Sequence, residues 1–205
     1  MINFPPKKLL LTMFVGGWLA ASGWGIWRLA AYSLAPGEQG VAPEQWPVDS
    51  AVTRNRFGYT VVIALHPECP CSEATVEELD SIIAHSGGRL RAHLLFVELP
   101  GLPSAQLSKL WERASRIPAV QLTKDVGGAE ARRFGTRTSG ETRLYGPAGE
   151  LLFHGGITAS RGHSGDNPGE AAILVLLTPG SQLTTPVAAP VFGCALWNDA
   201  PLRKS

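Results

Sequence analysis

Nineteen consecutive residues, Leu9 to Trp27 (LLLTMFVGGWLAASGWGIW), carry no charge. This run constrains the chain more than any other stretch. As a helix it spans roughly 28 Å at ~1.5 Å per residue, close to the ~30 Å hydrocarbon core of a bilayer. No face of it is polar, so it fits the core of a globular domain poorly. Trp24 and Trp27 suit an interfacial belt, and Gly16, Gly17, Gly23 and Gly25 are tolerated in membrane spans. Lys7 and Lys8 precede the run and only Arg28 follows closely. Basic residues tend to stay on the cytoplasmic side, which places the residues after Ala35 outside. The competing reading is a cleavable signal sequence with Ser33-Leu34-Ala35 as its small-x-small site. Its apolar core would be ~7–15 residues, shorter than this run. The expectation is a single-pass anchor over residues 1–35 in a bacterial inner membrane, with the remainder in the periplasm.

Charge follows the same division. The chain has 205 residues, with 18 Lys+Arg, 17 Asp+Glu and a net charge of +1. Residues 1–35 hold Lys7, Lys8 and Arg28 and no acid; removing those three leaves 15 basic against 17 acidic residues, net −2. A nucleic-acid partner is not expected, because such proteins carry a strong basic excess. A nucleotide is not expected either, since the glycines from Gly155 to Gly165 lack the Lys-Ser/Thr ending of a P-loop. Three cysteines are too few for a disulfide-built mini-protein.

The body reads as an alternation of strands and helices. Residues 36–58 are rich in Pro, Gly and polar groups; 36–50 are assigned as a linker, with Trp46 docking on the domain. Tyr59–Leu65 (YTVVIAL) is a buried strand. A helix follows over about 72–85, with Val76, Leu79, Ile82 and Ile83 on its apolar face and Glu73, Glu77, Glu78 and Asp80 on its polar face. Thr75 and Glu78 have the spacing of a capping box. A second strand covers 90–99, and Ser104 caps a helix reaching about Arg116. A third strand is expected at 119–122 and a short helix at 129–134. Thr142–Tyr145 and Glu150–Phe153 flank Gly146-Pro147-Ala148-Gly149 as a hairpin. Asn167-Pro168 opens the last helix, which ends near Leu177. The domain is set at 51–178 and a Pro-rich tail at 179–205. This order means a mixed central sheet with helices on both faces, an α/β fold.

Cys69-Pro70-Cys71 sits where the first strand turns into a helix. Unpaired N–H groups and the helix dipole at such a point stabilise a thiolate. Pro70 removes an N–H that would be unpaired there and pre-sets its φ. The spacing is unusual: residues two apart on a regular helix project about 200° from one another, so their sulfurs do not meet. A Cys69–Cys71 disulfide would need non-helical backbone and would be strained and labile. Three outcomes stay open: a reactive Cys69–Cys71 disulfide, a pairing with Cys194, or a metal site. Cys194 lies in an apolar Phe-Gly-Cys-Ala-Leu-Trp patch and reads equally as an idle buried or free thiol and as the resolving partner or third ligand of the centre. The loop 155–167 is longer than a ~2–6-residue βα connection and is a functional candidate. His66 reads as structural and His154 has no special spacing.

The order of elements and the cysteine pair after the first central strand resemble the thioredoxin-like superfamily over about residues 50–178. Arg132-Arg133-Phe134-Gly135 before the later strands fits the same pattern. Within it the chain is most similar to RedB-type membrane-anchored thioredoxin-like proteins, through His66–Cys71, Gly155–Thr158 with Ser160–His163, and Val191–Cys194. The resemblance implies a thioredoxin-like sheet and thiol–disulfide exchange without an organic cofactor. Cys69, Pro70 and Cys71 would form the catalytic centre, with Cys194 as a further member. Cys69 would attack a protein or small-molecule disulfide, and Cys71 or Cys194 would resolve it. Two departures stand out: Cys-Pro-Cys replaces Trp-Cys-x-x-Cys, and the loop facing the cysteines, Thr138-Ser139-Gly140-Glu141, lacks the expected proline. Ser139, Gly140, Arg161 and His163 would shape the thiolate environment. The alternative is a copper chaperone, with Cu(I) held by Cys69, Cys71, His163 and Cys194, or with His66 as the third ligand. A thiol peroxidase is disfavoured, because His66 and Glu68 stand where a Thr-x-x-Cys pattern needs threonine.

Overall fold

The computed structural model describes residues 7–99, 104–105, 108–181 and 185–197. They form two units, residues 1–35 and residues 36–205. The first is a single helix, α1, Lys7–Ser33, none of whose residues is buried. By length and composition it is able to cross a membrane. It extends the expected charge-free run at both ends, and the Arg28 guanidinium lies 5.7 Å from the Trp24 ring one turn earlier.

The second unit is built on a six-stranded sheet in the order β3-β2-β1-β4-β5-β6. Its strands are β1 Tyr59–Leu65, β2 Leu90–Glu98, β3 Val120–Val126, β4 Glu141–Tyr145, β5 Leu151–Gly155 and β6 Val187–Ala188. β1 pairs in parallel with β2 and antiparallel with β4, so the sheet is mixed. Central β1 is buried on both faces from Thr60 onward, which explains its unbroken β-branched run. Val61, Ile63 and Leu65 meet one core and Val62 and Ala64 the other.

The first core is closed by α2 Pro70–His85, α3 Lys109–Ala114 and α5 Pro168–Leu176. Val76, Leu79, Ile82 and Ile83 face it, as their spacing indicates. The second core takes Ala131 and Phe134 from the region of α4 Ala129–Arg133, together with Val52, Leu151 and Leu196. Trp46 packs edge-on to Phe134 and Tyr145, at 5.0 and 5.2 Å between ring centroids.

Several local expectations change. α2 begins at Pro70, and the Thr75 hydroxyl donates to the Cys71 carbonyl one turn back. There is thus no capping box at Thr75. Glu78 is buried, not on the polar face: its carboxylate accepts from Gly165 N–H and Asn167 Nδ2 and pins the long loop. α3 is capped by Ser108, whose hydroxyl accepts from Trp111 N–H, while the Ser104 hydroxyl donates to Glu98. Residues 106–107, within the expected helix, lie outside the described residues. β3 runs on to Val126, because Asp125 at its end accepts the N–H groups of Glu130 and Ala131 and so caps α4.

The stretch read as a linker is bound to the body. Gly37 N–H donates to Val191 O, Gly40 N–H to Glu141, and Trp46 N–H to Gly149 O. The described part of the Pro-rich tail also returns to the sheet. It adds β6 beside β5 and then carries residues 189–197 past the loop before β4. Residues 182–184 and 198–205 lie outside the described residues.

Candidate active site: a three-cysteine cluster

Cys69 is the N-cap of α2, with extended backbone at φ −94° and ψ 124°. That non-helical residue defeats the spacing argument: Cys69 and Cys71 do not both sit on regular helix, and their sulfurs converge. Cys194 joins them from the tail. The three sulfurs lie within 4.8 Å of one another, and Cys69 Sγ is 3.1 Å from Cys194 Sγ. All three cysteines are free. Cys69 and Cys71 are only 4% and 5% exposed, whereas Cys194 is exposed.

The electrostatics separate their roles. The Cys71 thiol donates a hydrogen bond to the Cys69 sulfur, which is the largest influence on Cys69. Burial opposes ionisation, while the Cys194 thiol and backbone N–H groups of Cys194 and Cys71 favour it. The net result holds Cys69 at about 4. Cys71, as the donor to that thiolate and a buried group, is pushed up. Cys194 is raised as well, by burial first and then by its bond to Cys69, with Arg161 opposing. At neutral pH the cluster is therefore one thiolate, Cys69, flanked by two thiols.

The loop before β4 holds the tail in place. Ser139 N–H donates to Cys194 O at 2.8 Å, and Leu196 N–H donates to Arg137 O at 2.8 Å. Thr138 and Ala195 form an antiparallel bridge between those bonds. Gly193 is required by close approach: a Cβ there would lie 1.9 Å from Ser139 O. Val191 and Leu196, either side of Cys194, are fully buried.

Ser139 and Gly140 touch the frame more than the sulfurs. Ser139 Oγ accepts from His66 N–H and shares a 2.8 Å hydrogen bond with Ser72 Oγ. Gly140, at φ +87°, donates its N–H to Ala64 O and abuts Thr75. The Arg161 guanidinium donates to Gly193 O beside Cys194, and Gly162 N–H reaches the Cys71 sulfur. His163 is exposed, its ring nitrogen bonded to Arg161 O. Among the described residues the ligand cluster holds the three cysteines and neither His163 nor His66. His66 Nδ1 accepts from Glu68 N–H, which fits its structural reading.

Sequence reasoning missed Glu141 and Arg143. Both are completely buried and paired at 2.7 Å. Glu141 accepts the N–H groups of Gly40, Arg137 and Thr138, and Arg143 donates to the carbonyls of Phe134, Gly135 and Gly40. This pair fixes the backbone of a loop that lacks its expected proline. Two charges at i and i+2 in a strand share one face, but that spacing alone does not distinguish an inward from an outward pair.

The chain has no matching family model and no match among curated proteins. Its fold does match solved structures. A hypothetical protein, SMc02350 from Sinorhizobium meliloti 1021, is 18% identical, with 82% of this chain and 97% of that one covered at a TM-score of 0.52. An uncharacterized conserved protein from Geobacillus kaustophilus is 15% identical, with 82% and 95% covered at 0.53. A thioredoxin-like superfamily protein, SPOA0173, overlays more loosely, at 17% identity, 70% and 99% coverage and 0.42. The expected α/β fold, a mixed central sheet flanked by helices, is present: three parallel strands joined through α2 and α3, then an antiparallel β4–β5 pair and a final helix, with the cysteine pair at the β1–α2 junction.

Proposed function

We propose that this protein is a membrane-anchored thiol–disulfide oxidoreductase working in the periplasm, with Cys69 and Cys194 as its redox couple. The observation that carries the reading is a stabilised Cys69 thiolate 3.1 Å from a second cysteine sulfur. A disulfide needs ~2.05 Å, so about 1 Å of closure joins them. Closing that bond passes two electrons and the Cys194 proton to a substrate disulfide, which leaves as two thiols after taking a second proton from water. Opening it reverses the transfer. Cys71 acts through its hydrogen bond, keeping Cys69 ionised. No organic cofactor takes part. The three segments that resemble RedB-type proteins, around Cys69, Ser160–His163 and Val191–Cys194, are the ones that meet here. A basic flank on the apolar α1 supports the membrane and periplasm assignment.

The close grouping of three sulfurs supports a second reading, a Cu(I) site formed by Cys69, Cys71 and Cys194, since soft thiolates favour that ion. One experiment separates the two. The full chain, purified in detergent, is titrated for free thiols against a thiol redox buffer and assayed for copper by mass spectrometry. A reversible two-electron couple that vanishes in Cys69→Ala and in Cys194→Ala, and survives in Cys71→Ala, supports the oxidoreductase. Stoichiometric copper retained with no such couple overturns it.

A further inference from the structure

The two sulfurs of the proposed couple are not equally reachable, and their inequality runs against chain order. Cys69, at the strand-to-helix junction, is 4% exposed, while Cys194 is the more open of the two. A thiolate attacking a disulfide approaches one sulfur along the S–S axis from its far side. With Cys69 enclosed, the Cys194 sulfur presents that far side.

Cys194 is also held still. Val191 and Leu196 anchor the tail in the core on either side of it, and two main-chain hydrogen bonds tie it to residues 137–139. The tail thereby occupies the pairing edge of that loop, so a substrate gains no strand pairing there. A cleft of about 300 Å³ is lined by Gly193 and Ala195, the residues either side of Cys194, with Arg137, Thr138 and Arg161, while Cys194 itself does not line it.

We infer that Cys194 is the substrate-facing sulfur, and that the oxidised protein accepts electrons from a thiol which attacks Cys194 and expels Cys69. The inference rests on the Cys69–Cys194 couple proposed above. In the first step the substrate thiolate forms an S–S bond to Cys194 and the Cys69–Cys194 bond breaks, leaving Cys69 as a thiolate. In the second, another substrate thiolate attacks the substrate sulfur of that mixed disulfide and Cys194 departs as a thiol after taking a proton. The sum oxidises two substrate thiols to one disulfide and reduces the couple by two electrons. A disulfide of a partner molecule restores the couple by the reverse exchange. The environment that stabilises the Cys69 thiolate makes it a good leaving group, consistent with a protein that oxidises thiols.

The test uses the full chain in detergent, oxidised, and a matching Cys71→Ser chain in which no third sulfur scrambles the adduct. Each is mixed with glutathione, quenched in acid within its first turnover, alkylated after denaturation and mapped by peptide mass spectrometry. Glutathione on Cys194 with alkylated Cys69 is the expected result. Glutathione on Cys69, or an even split, overturns the inference while leaving the couple intact. A second measurement needs no trapped adduct: the rate of reduction by glutathione is compared with that by a thiol on a 5 kDa polyethylene glycol. Rates within about threefold support an exposed target, and a drop beyond about tenfold points to the enclosed one. If oxidation yields no Cys69–Cys194 disulfide at all, the proposed couple itself fails, a result distinct from either mapping outcome.

Discussion

The two faces of the sheet are built in different ways. One face is covered by three helices, and its core residues, Val76, Leu79, Ile82 and Ile173 among them, repeat at helical spacing. Among the described residues the other has one five-residue helix, α4, and is otherwise closed by irregular chain: Val52, the ring of Trp46, and Leu196 from the tail. The helical face is regular and supplies Cys69 and Cys71 from the start of α2. The irregular face brings in Cys194. Irregular segments satisfy their backbone groups through specific partners instead of a repeating ladder, so their position depends on a few buried contacts. Glu141 and Arg143 are the most concentrated of these.

That dependence gives the largest expected effect. Glu141→Ala leaves Arg143 buried without its carboxylate and frees three N–H groups, so it should cost about 3–5 kcal/mol. Chemical denaturation of the full chain in detergent checks this, and a loss below about 1 kcal/mol would show that the irregular face does not hang on the pair. Leu196→Ala should cost about 2–5 kcal/mol, as should Leu79→Ala on the helical face. The two differ in consequence: only Leu196→Ala should also slow formation of the Cys69–Cys194 disulfide, read by thiol counting during oxidation. Equal oxidation rates in both variants would break the distinction between the faces.

Smaller effects sharpen it further. Cys69 ionises at about 4 in the folded protein against a reference of 9.0 for the free group. A lowered acid adds stability that grows as pH rises from about 4 toward 9.0 and is lost as pH falls back. Cys71 and Cys194, both raised, oppose it only above 9.0, where the unfolded chain sheds their protons. The reduced protein should therefore gain stability between pH 5 and pH 8 from this group, and Cys69→Ser should flatten that gain. Denaturation of both proteins at the two pH values decides it. Glu77→Ala on the helical face removes an exposed 2.8 Å pair with Arg113 and should cost under about 1 kcal/mol.

The legibility of each part follows the same physics. β1, α2, the β4–β5 hairpin and the Asn167 cap of α5, whose side chain accepts from Glu170 N–H, are visible in sequence because periodicity, turn residues and caps are local signals. Cys69 and Cys71 are visible for the same reason, as a pair at a strand-to-helix junction. Glu78 misleads: a glutamate among acidic neighbours reads as solvated, yet it is consumed by a loop about 87 residues away. The return of residues 187–197 to the sheet and the burial of Arg143 carry no local signature at all.

The sequence by itself determined the helix over the charge-free run, the alternation of strands and helices, and a thiolate site at the start of α2. Each is set by neighbours a few residues apart. The tertiary structure alone decided which sulfur meets which. Cys194 lies 125 residues from Cys69, and the contacts that join them are long-range: the Glu141–Arg143 pair fixing a loop, that loop pairing with the tail, and Leu196 burying the tail's far side. Such contacts depend on which backbone groups remain unsatisfied once the sheet has formed, and no local pattern encodes that.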